Sequence, residues 1–157
     1  MTPTFDLLLT GGLLADGLGS PLVRADIGVI GERVAAIGDL SQSQAAQTID
    51  TRESVVAPGF IDIHTHSDVS VLFTPGMESS LAQGVTSEVV GNCGISLGLA
   101  TAAPEFSLER RWLEQAGGTL SWSDLSGFLS RVEDSGCALN IATLAGHGSL
   151  RKRVMGM

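Results

Sequence analysis

The chain changes texture at Pro58-Gly59, and that change limits what it can fold into. Before it, short apolar runs alternate with turn residues. Residues 5–9 lead into Gly11-Gly12, and Leu13-Leu14 leads into Asp16-Gly17-Leu18-Gly19-Ser20-Pro21. Residues 25–30 and 33–38 flank Gly31-Glu32, the pattern of a hairpin with a tight glycine-containing turn. Further short strands are expected at 48–50 and 55–57. Five or six short strands joined by turns predict a small β unit over residues 1–57, either a β-sandwich or a single sheet. Nothing in it carries chemistry, and it reads as scaffold.

After Pro58-Gly59 the periodicity becomes that of β/α units. Phe60-Ile61-Asp62-Ile63 is short and mostly apolar, as a buried parallel strand would be. A helical stretch is expected over 75–83, with Met77 and Leu81 on one face and Gly84 as its stop. Residues 85–90, Val-Thr-Ser-Glu-Val-Val, are rich in β-branched side chains and predict a second strand ending in Gly91-Asn92-Cys93-Gly94. A short helix is expected over 107–115. Another follows, capped by Ser121 or Ser123, with Leu125, Phe128, Leu129 and Val132 at helical spacing and Gly136 as its end. Residues 137–144 predict a third strand, terminating in Ala145-Gly146-His147-Gly148. The second part, residues 58–157, is therefore α/β.

Composition narrows the partners. Of 157 residues 43% are hydrophobic and 17% charged, which suits a packed domain rather than a disordered one. The net charge of −8 includes no basic cluster longer than Arg151-Lys152-Arg153, which argues against nucleic acid and against anionic membranes. The N-terminus lacks the basic and long apolar segments of a signal peptide. No apolar run approaches the roughly 20 residues of a membrane span. Two cysteines do not make a disulfide framework, so a reducing, cytoplasmic compartment is expected.

All three expected parallel strands end at a polar cluster holding His or Cys, which is where parallel β/α folds put function. His64 and His66 are two of only three histidines. On a strand they would project from the same face, about 7 Å apart along the chain, and one divalent metal could take both imidazoles. The alternative is a pair of histidines hydrogen-bonded at a strand end. Cys93 sits in a glycine-rich turn, whereas Cys137 starts a strand at the opposite end of the sheet and reads as structural. His147 either faces the mouth of the site or is simply satisfied within its glycine turn. Asp68 could orient a ligand imidazole or be a solvent-facing turn carboxylate, and Asp62 lies two residues before His64 on the same face. Asn92 is a further candidate for contact with substrate or support of a ligand. Glu88 falls in a buried-looking strand and needs a hydrogen-bonding or charged partner.

Pro-Gly-Phe-Ile-Asp-Ile-His-Thr-His-Ser-Asp over 58–68 resembles the first barrel strand of the amidohydrolase superfamily. Gln83-Gly84-Val85-Thr86, Gly91-Asn92-Cys93-Gly94-Ile95-Ser96, Gly146-His147-Gly148-Ser149-Leu150-Arg151 and the opening Phe5-Asp6-Leu7-Leu8-Leu9 are similar to the N-acyl-D-amino-acid deacylase (D-aminoacylase) branch. The resemblance runs in order along essentially the whole chain. It implies a small β-sandwich joined to a (β/α)8 TIM barrel, and zinc-dependent hydrolysis of the amide bond of small-molecule N-acyl-D-amino acids. It also implies that His64, His66 and Cys93 are zinc ligands, and a thiolate suits zinc better than magnesium or calcium. The cyclic amidases of the superfamily, dihydroorotases and hydantoinases, are the alternative enzyme reading, and a non-catalytic metal-binding remnant is the alternative outside catalysis.

A complete barrel takes about 250 residues, and residues 58–157 supply only the first three β/α units. The implied catalytic aspartate and later histidines have no counterpart here, so no catalytic residue is assigned within these 157 residues. The chain is expected to be the N-terminal third of a longer enzyme, with little or no activity alone.

Overall fold

The computed structural model describes residues 4–156. They fall into two compact units, divided between Pro58 and Gly59.

The first unit is one five-stranded sheet. β1 (Thr4–Leu14), β2 (Val23–Ile30), β3 (Arg33–Gly38), β4 (Gln44–Asp50) and β5 (Val55–Val56) follow one another along the chain. The sheet order is β3-β2-β1-β4, with β5 also on β1. The two apolar runs 5–9 and 13–14 belong to one strand rather than two. Gly11 at φ 73° makes this possible, because it lets β1 continue through an irregularity between Leu9 and Gly12. Asp26 stabilises that irregularity by accepting the Gly11 N–H at 2.7 Å and the Leu40 N–H at 2.9 Å. The first half of β1 pairs in parallel with β4 and its last two residues with β5. The expected hairpin turn is at Gly31-Glu32, between β2 and β3.

The second unit is a three-stranded parallel sheet with helices against it. β6 (Phe60–Asp62), α1 (Ser70–Phe73), α2 (Glu78–Leu81), β7 (Val85–Val90), α3 (Ser107–Gln115), α4 (Leu125–Asp134), β8 (Asn140–Thr143) and α5 (His147–Met155) run in that order. β7 lies between β6 and β8, parallel to both. The core packs Val90 of β7 against Val71, Leu97, Phe106, Leu113, Phe128 and Val132, all buried. Trp122 meets Phe128 edge to face at 5.4 Å and donates its indole N–H to the Leu97 carbonyl at 3.1 Å, so a large ring is buried with its polar atom satisfied.

Several expectations are adjusted by these elements. Asp124, and neither Ser121 nor Ser123, caps α4: its carboxylate accepts the Gly127 N–H at 2.8 Å. The helical stretch expected over 75–83 narrows to α2, with Met77 buried just before it and Leu81 on the surface. β6 is not buried. Phe60 and Ile61 are 61% and 64% exposed and Ile63, just after the strand, 73%; β6 is also an edge strand with no neighbour on its outer side among the described residues. One oxygen of the buried Glu88 carboxylate accepts from the Ser80 hydroxyl at 2.7 Å, while its other oxygen, Oε2, is buried without a hydrogen-bond partner. Lys152 of α5 reaches the buried carboxylate of Glu109 on α3 at 2.8 Å and lies over the Phe106 ring, which joins the last helix to the core. Cys137 is half-buried beside Leu139 and Ile141, as a structural cysteine should be.

Truncating Phe128 to Ala leaves a cavity at the centre of this core and is expected to cost about 3–5 kcal/mol in denaturant unfolding. The same truncation at Leu18, which is 87% exposed, should change stability by less than about 0.5 kcal/mol.

Candidate metal centre

β6 stops at Asp62, so His64 and His66 do not stand on a strand face as alternation predicts; they lie in the segment that follows it. That segment is nevertheless fixed against β7. The Thr65 N–H and hydroxyl both donate to the Val89 carbonyl at 3.2 Å, so the residue between the two histidines is pinned. The Asn92 side-chain amide donates to the same Val89 carbonyl at 2.8 Å and to the Thr65 carbonyl at 3.2 Å. Asp62 accepts the His64 N–H at 3.1 Å. Asn92 is buried, and its bonds support the loop that carries the histidines.

Cys93 comes to the same place from the end of β7. It has φ 54°, and with Met77 it is one of two non-glycine residues at positive φ among the described residues. Such a conformation costs of order 1–3 kcal/mol and persists only where its surroundings enforce it. Here the flanking glycines make the enforcement possible. Gly91 and Gly94 are themselves at φ 79° and 78°. A Cβ on Gly91 would lie 2.5 Å from the Leu144 carbonyl oxygen, and one on Gly146 would lie 2.7 Å from the Gly94 carbonyl group. The two segments thus meet backbone to backbone. Hydrogen bonds fasten them: Leu144 N–H to Val90 carbonyl at 2.9 Å, Ser149 N–H to Gly94 carbonyl at 3.0 Å, Ser96 N–H to Ser149 hydroxyl at 2.9 Å, and Ser96 hydroxyl to Leu144 carbonyl at 2.6 Å.

The result is a compact donor set. One ligand atom from each of His64, His66 and Cys93 lies within 4.8 Å of the others, and no other such cluster occurs among the described residues. His64 Nε2 is 3.3 Å from Cys93 Sγ, and the two imidazoles meet edge to face with centroids 5.8 Å apart. Tetrahedral zinc, with bonds of about 2.0–2.1 Å to nitrogen and about 2.3 Å to sulfur, holds such ligands about 3.5 Å apart. The spacing and the mixed imidazole and thiol chemistry therefore fit zinc. All three residues are exposed, which leaves the set open on one side.

The other candidates fall outside the donor set. Asp68 is not a solvent-facing turn carboxylate: it is buried and accepts the Leu97 N–H at 3.3 Å and the Gly91 N–H at 3.4 Å. Burial lifts its carboxyl above the ordinary carboxylate value, against the pull of those two N–H groups and of nearby His66. His147 is exposed at the first position of α5 and does not join the donors, although the residues on either side of it pack against the Cys93 turn. Thr65, Ser96 and Ser149 were not singled out by sequence. Their only sequence signal is closeness to the glycine clusters at 91–94 and 146–148.

Comparison with known proteins places this geometry. The model of the amidohydrolase family matches residues 47–156, which is most of the chain. The chain belongs to the amidohydrolase family. A D-aminoacylase from Alcaligenes xylosoxydans xylosoxydans is 47% identical to it over 96% of this amidohydrolase chain and 31% of the relative. An N-acyl-D-glutamate deacylase from the same organism is 42% identical over 99% of this chain and 31% of the relative. Among solved structures, the N-acyl-D-glutamate deacylase of Bordetella bronchiseptica, complexed with zinc and a phosphonate mimic of the tetrahedral intermediate, superposes with a TM-score of 0.85. Its identity is 35%, over 98% of this chain and 32% of that one. The chain thus spans about a third of the length of the relatives it matches.

Replacing Gly146 by Ala forces backbone against backbone at the Cys93 turn and is expected to destabilise the amidohydrolase chain by about 1–3 kcal/mol. Chemical denaturation measures it, with Leu18→Ala at an exposed position as the control.

Proposed function

We propose that this chain is the zinc-anchoring part of a metal-dependent hydrolase that cleaves the amide bond of N-acyl-D-amino acids. The observation that carries the reading is the convergence of His64, His66 and Cys93, from the ends of two neighbouring parallel strands, with one ligand atom of each within 4.8 Å of the others and His64 Nε2 3.3 Å from Cys93 Sγ. The relatives support the reaction class, since those with 42–47% identity are a D-aminoacylase and an N-acyl-D-glutamate deacylase. The three-stranded parallel sheet is then the beginning of a (β/α)8 barrel, which its exposed β6 edge suits. The five-stranded sheet of the first unit is one layer of a β-sandwich. Its face around Leu9, Ile27, Val34 and Ile37 is a largely apolar groove of about 390 Å³ that a second layer would cover.

The residues of the chain have separable tasks in this reading. His64, His66 and Cys93 hold the metal. Thr65 and Asn92 fix the two imidazoles in position through the Val89 carbonyl. Asp68 orders the turn through Gly91 and Leu97 beside His66. Zinc, when bound, supplies Lewis acidity to the scissile carbonyl and lowers the pKa of water toward about 7. Among the described residues no carboxylate joins the donor cluster to take up the proton that water must give away. None of the described residues is therefore assigned as that proton carrier, the general base.

The test is zinc content and activity on one sample. The 157-residue chain should bind about one zinc and turn over little or no N-acetyl-D-methionine. Cys93→Ala should abolish stoichiometric zinc. Asn92→Ala should weaken zinc about 10- to 100-fold in a chelator competition, as loss of ligand support does. Cys137→Ala should leave the affinity unchanged. Absence of zinc from the folded chain, or turnover of the D-substrate by the 157-mer, would overturn this division of labour.

A further inference from the structure

Beside the donor set, sharing His66 with it as a wall, lies a cavity of about 390 Å³. Its walls are Val69, which follows the histidine loop, Ile95 and Leu97 from the segment after the Cys93 turn, and Trp112 with Gln115 from α3. The volume is in the lower part of the range of small-molecule sites, about 300–1,000 Å³. The lining is aliphatic and aromatic apart from His66, Asp68 and the Gln115 amide. Both carboxylate oxygens of Asp68 are engaged by backbone N–H groups, so the cavity offers negative charge but no free cation. A carboxylate entering it would be both desolvated and repelled. The ligand must therefore be uncharged and apolar.

We infer that this cavity is the acyl pocket, which takes the aliphatic chain attached to the scissile carbonyl. The inference rests on the deacylase reading above. An N-acyl-amino acid has three appendages: a carboxylate, a side chain and an acyl chain. The cavity chemistry rejects the first. Connectivity separates the other two. The acyl chain leaves directly from the carbonyl carbon that must sit at the metal, whereas the side chain is attached two bonds further on, beyond the nitrogen. His66 is both a donor of the metal site and a wall of the cavity, so the group that enters beside it is the one nearest the carbonyl. The relatives point the same way. Their amino-acid portions include acidic ones, while the N-acyl group is common to the two named deacylases of glutamate and aspartate. An apolar pocket suits the shared portion.

The experiment uses the 157-residue chain, with and without zinc, and two ligand series of matched carbon count. The first lengthens the acyl group from N-acetyl- through N-butanoyl- to N-pentanoyl-D-alanine. The second lengthens the side chain from N-acetyl-D-alanine to N-acetyl-D-norleucine. Binding is read from Trp112 fluorescence, with Trp112→Phe identifying its share of the signal. Each added acyl CH₂ should tighten binding about three- to fourfold, and the side-chain series should be flat. Ile95→Trp fills the cavity and should flatten the acyl series; if that variant does not fold, the series on the unaltered chain decides alone. A flat acyl series, or a side-chain series that is steeper, overturns the inference. Zinc counted on the same samples separates the two readings. Bound zinc with a flat acyl series removes the pocket and keeps the metal site, and a steep acyl series in a chain that holds no zinc does the reverse.

Discussion

The second unit depends on a contact that no side chain could share. The turn 91–94 and the segment 144–148 lie so close that a methyl group on Gly91 or Gly146 would overlap backbone atoms of the other segment. Close approach of two backbones buries polar groups, and these must find partners. They do, through Leu144 to Val90, Ser149 to Gly94, and the Ser96 hydroxyl to Leu144. The contact fastens the end of β7 to the start of α5. It also supplies the rigidity that keeps Cys93 in a left-handed conformation, with its thiol directed at His64.

That constraint explains why the donor set forms although β6 is only three residues long. The spacing of His64 and His66 is set by a side-chain and backbone clasp on β7, and not by strand pleating. Thr65 hangs from the Val89 carbonyl, and Asn92 closes the loop from below. Both halves of the candidate donor set therefore refer to the same strand. Cys93 extends from β7 directly, and the histidines are held against it. The β7 strand to which they refer is buried at Val90 among the helices.

Elements with a strong local signal were legible in the sequence. Helix α3 was expected at 107–115 and lies at Ser107–Gln115, and the apolar spacing of Phe128 and Val132 marks the buried side of α4. The turn at Gly31-Glu32 was equally legible, because its chemistry is local. What could not be read depends on distant partners. The single strand β1 looks like two runs in sequence because Gly11-Gly12 interrupts it, and only Asp26, fifteen residues away, shows that the interruption is a bulge. Asp68 looks like a surface turn residue until Gly91 and Leu97 place their N–H groups on it. His-x-His suggested a strand, since alternation and a clasped loop both bring the two rings to one side. His64, His66 and Cys93, singled out from sequence, nevertheless come together, because residue type and position after a strand survive an error in the local backbone.

The exposure of β6 and the burial of β7 follow from one sheet order. With β7 in the middle, Val90 and Glu88 face the helices and need partners, and Glu88 finds Ser80. β6 has a strand on one side only, so Ile61 and Ile63 remain open to solvent. An apolar edge strand of a parallel sheet is a liability unless another strand covers it. Ordinary surface residues would have been the simpler choice at these positions. Apolar side chains there stand beside a cluster of His64, His66 and Cys93 that is open on one side.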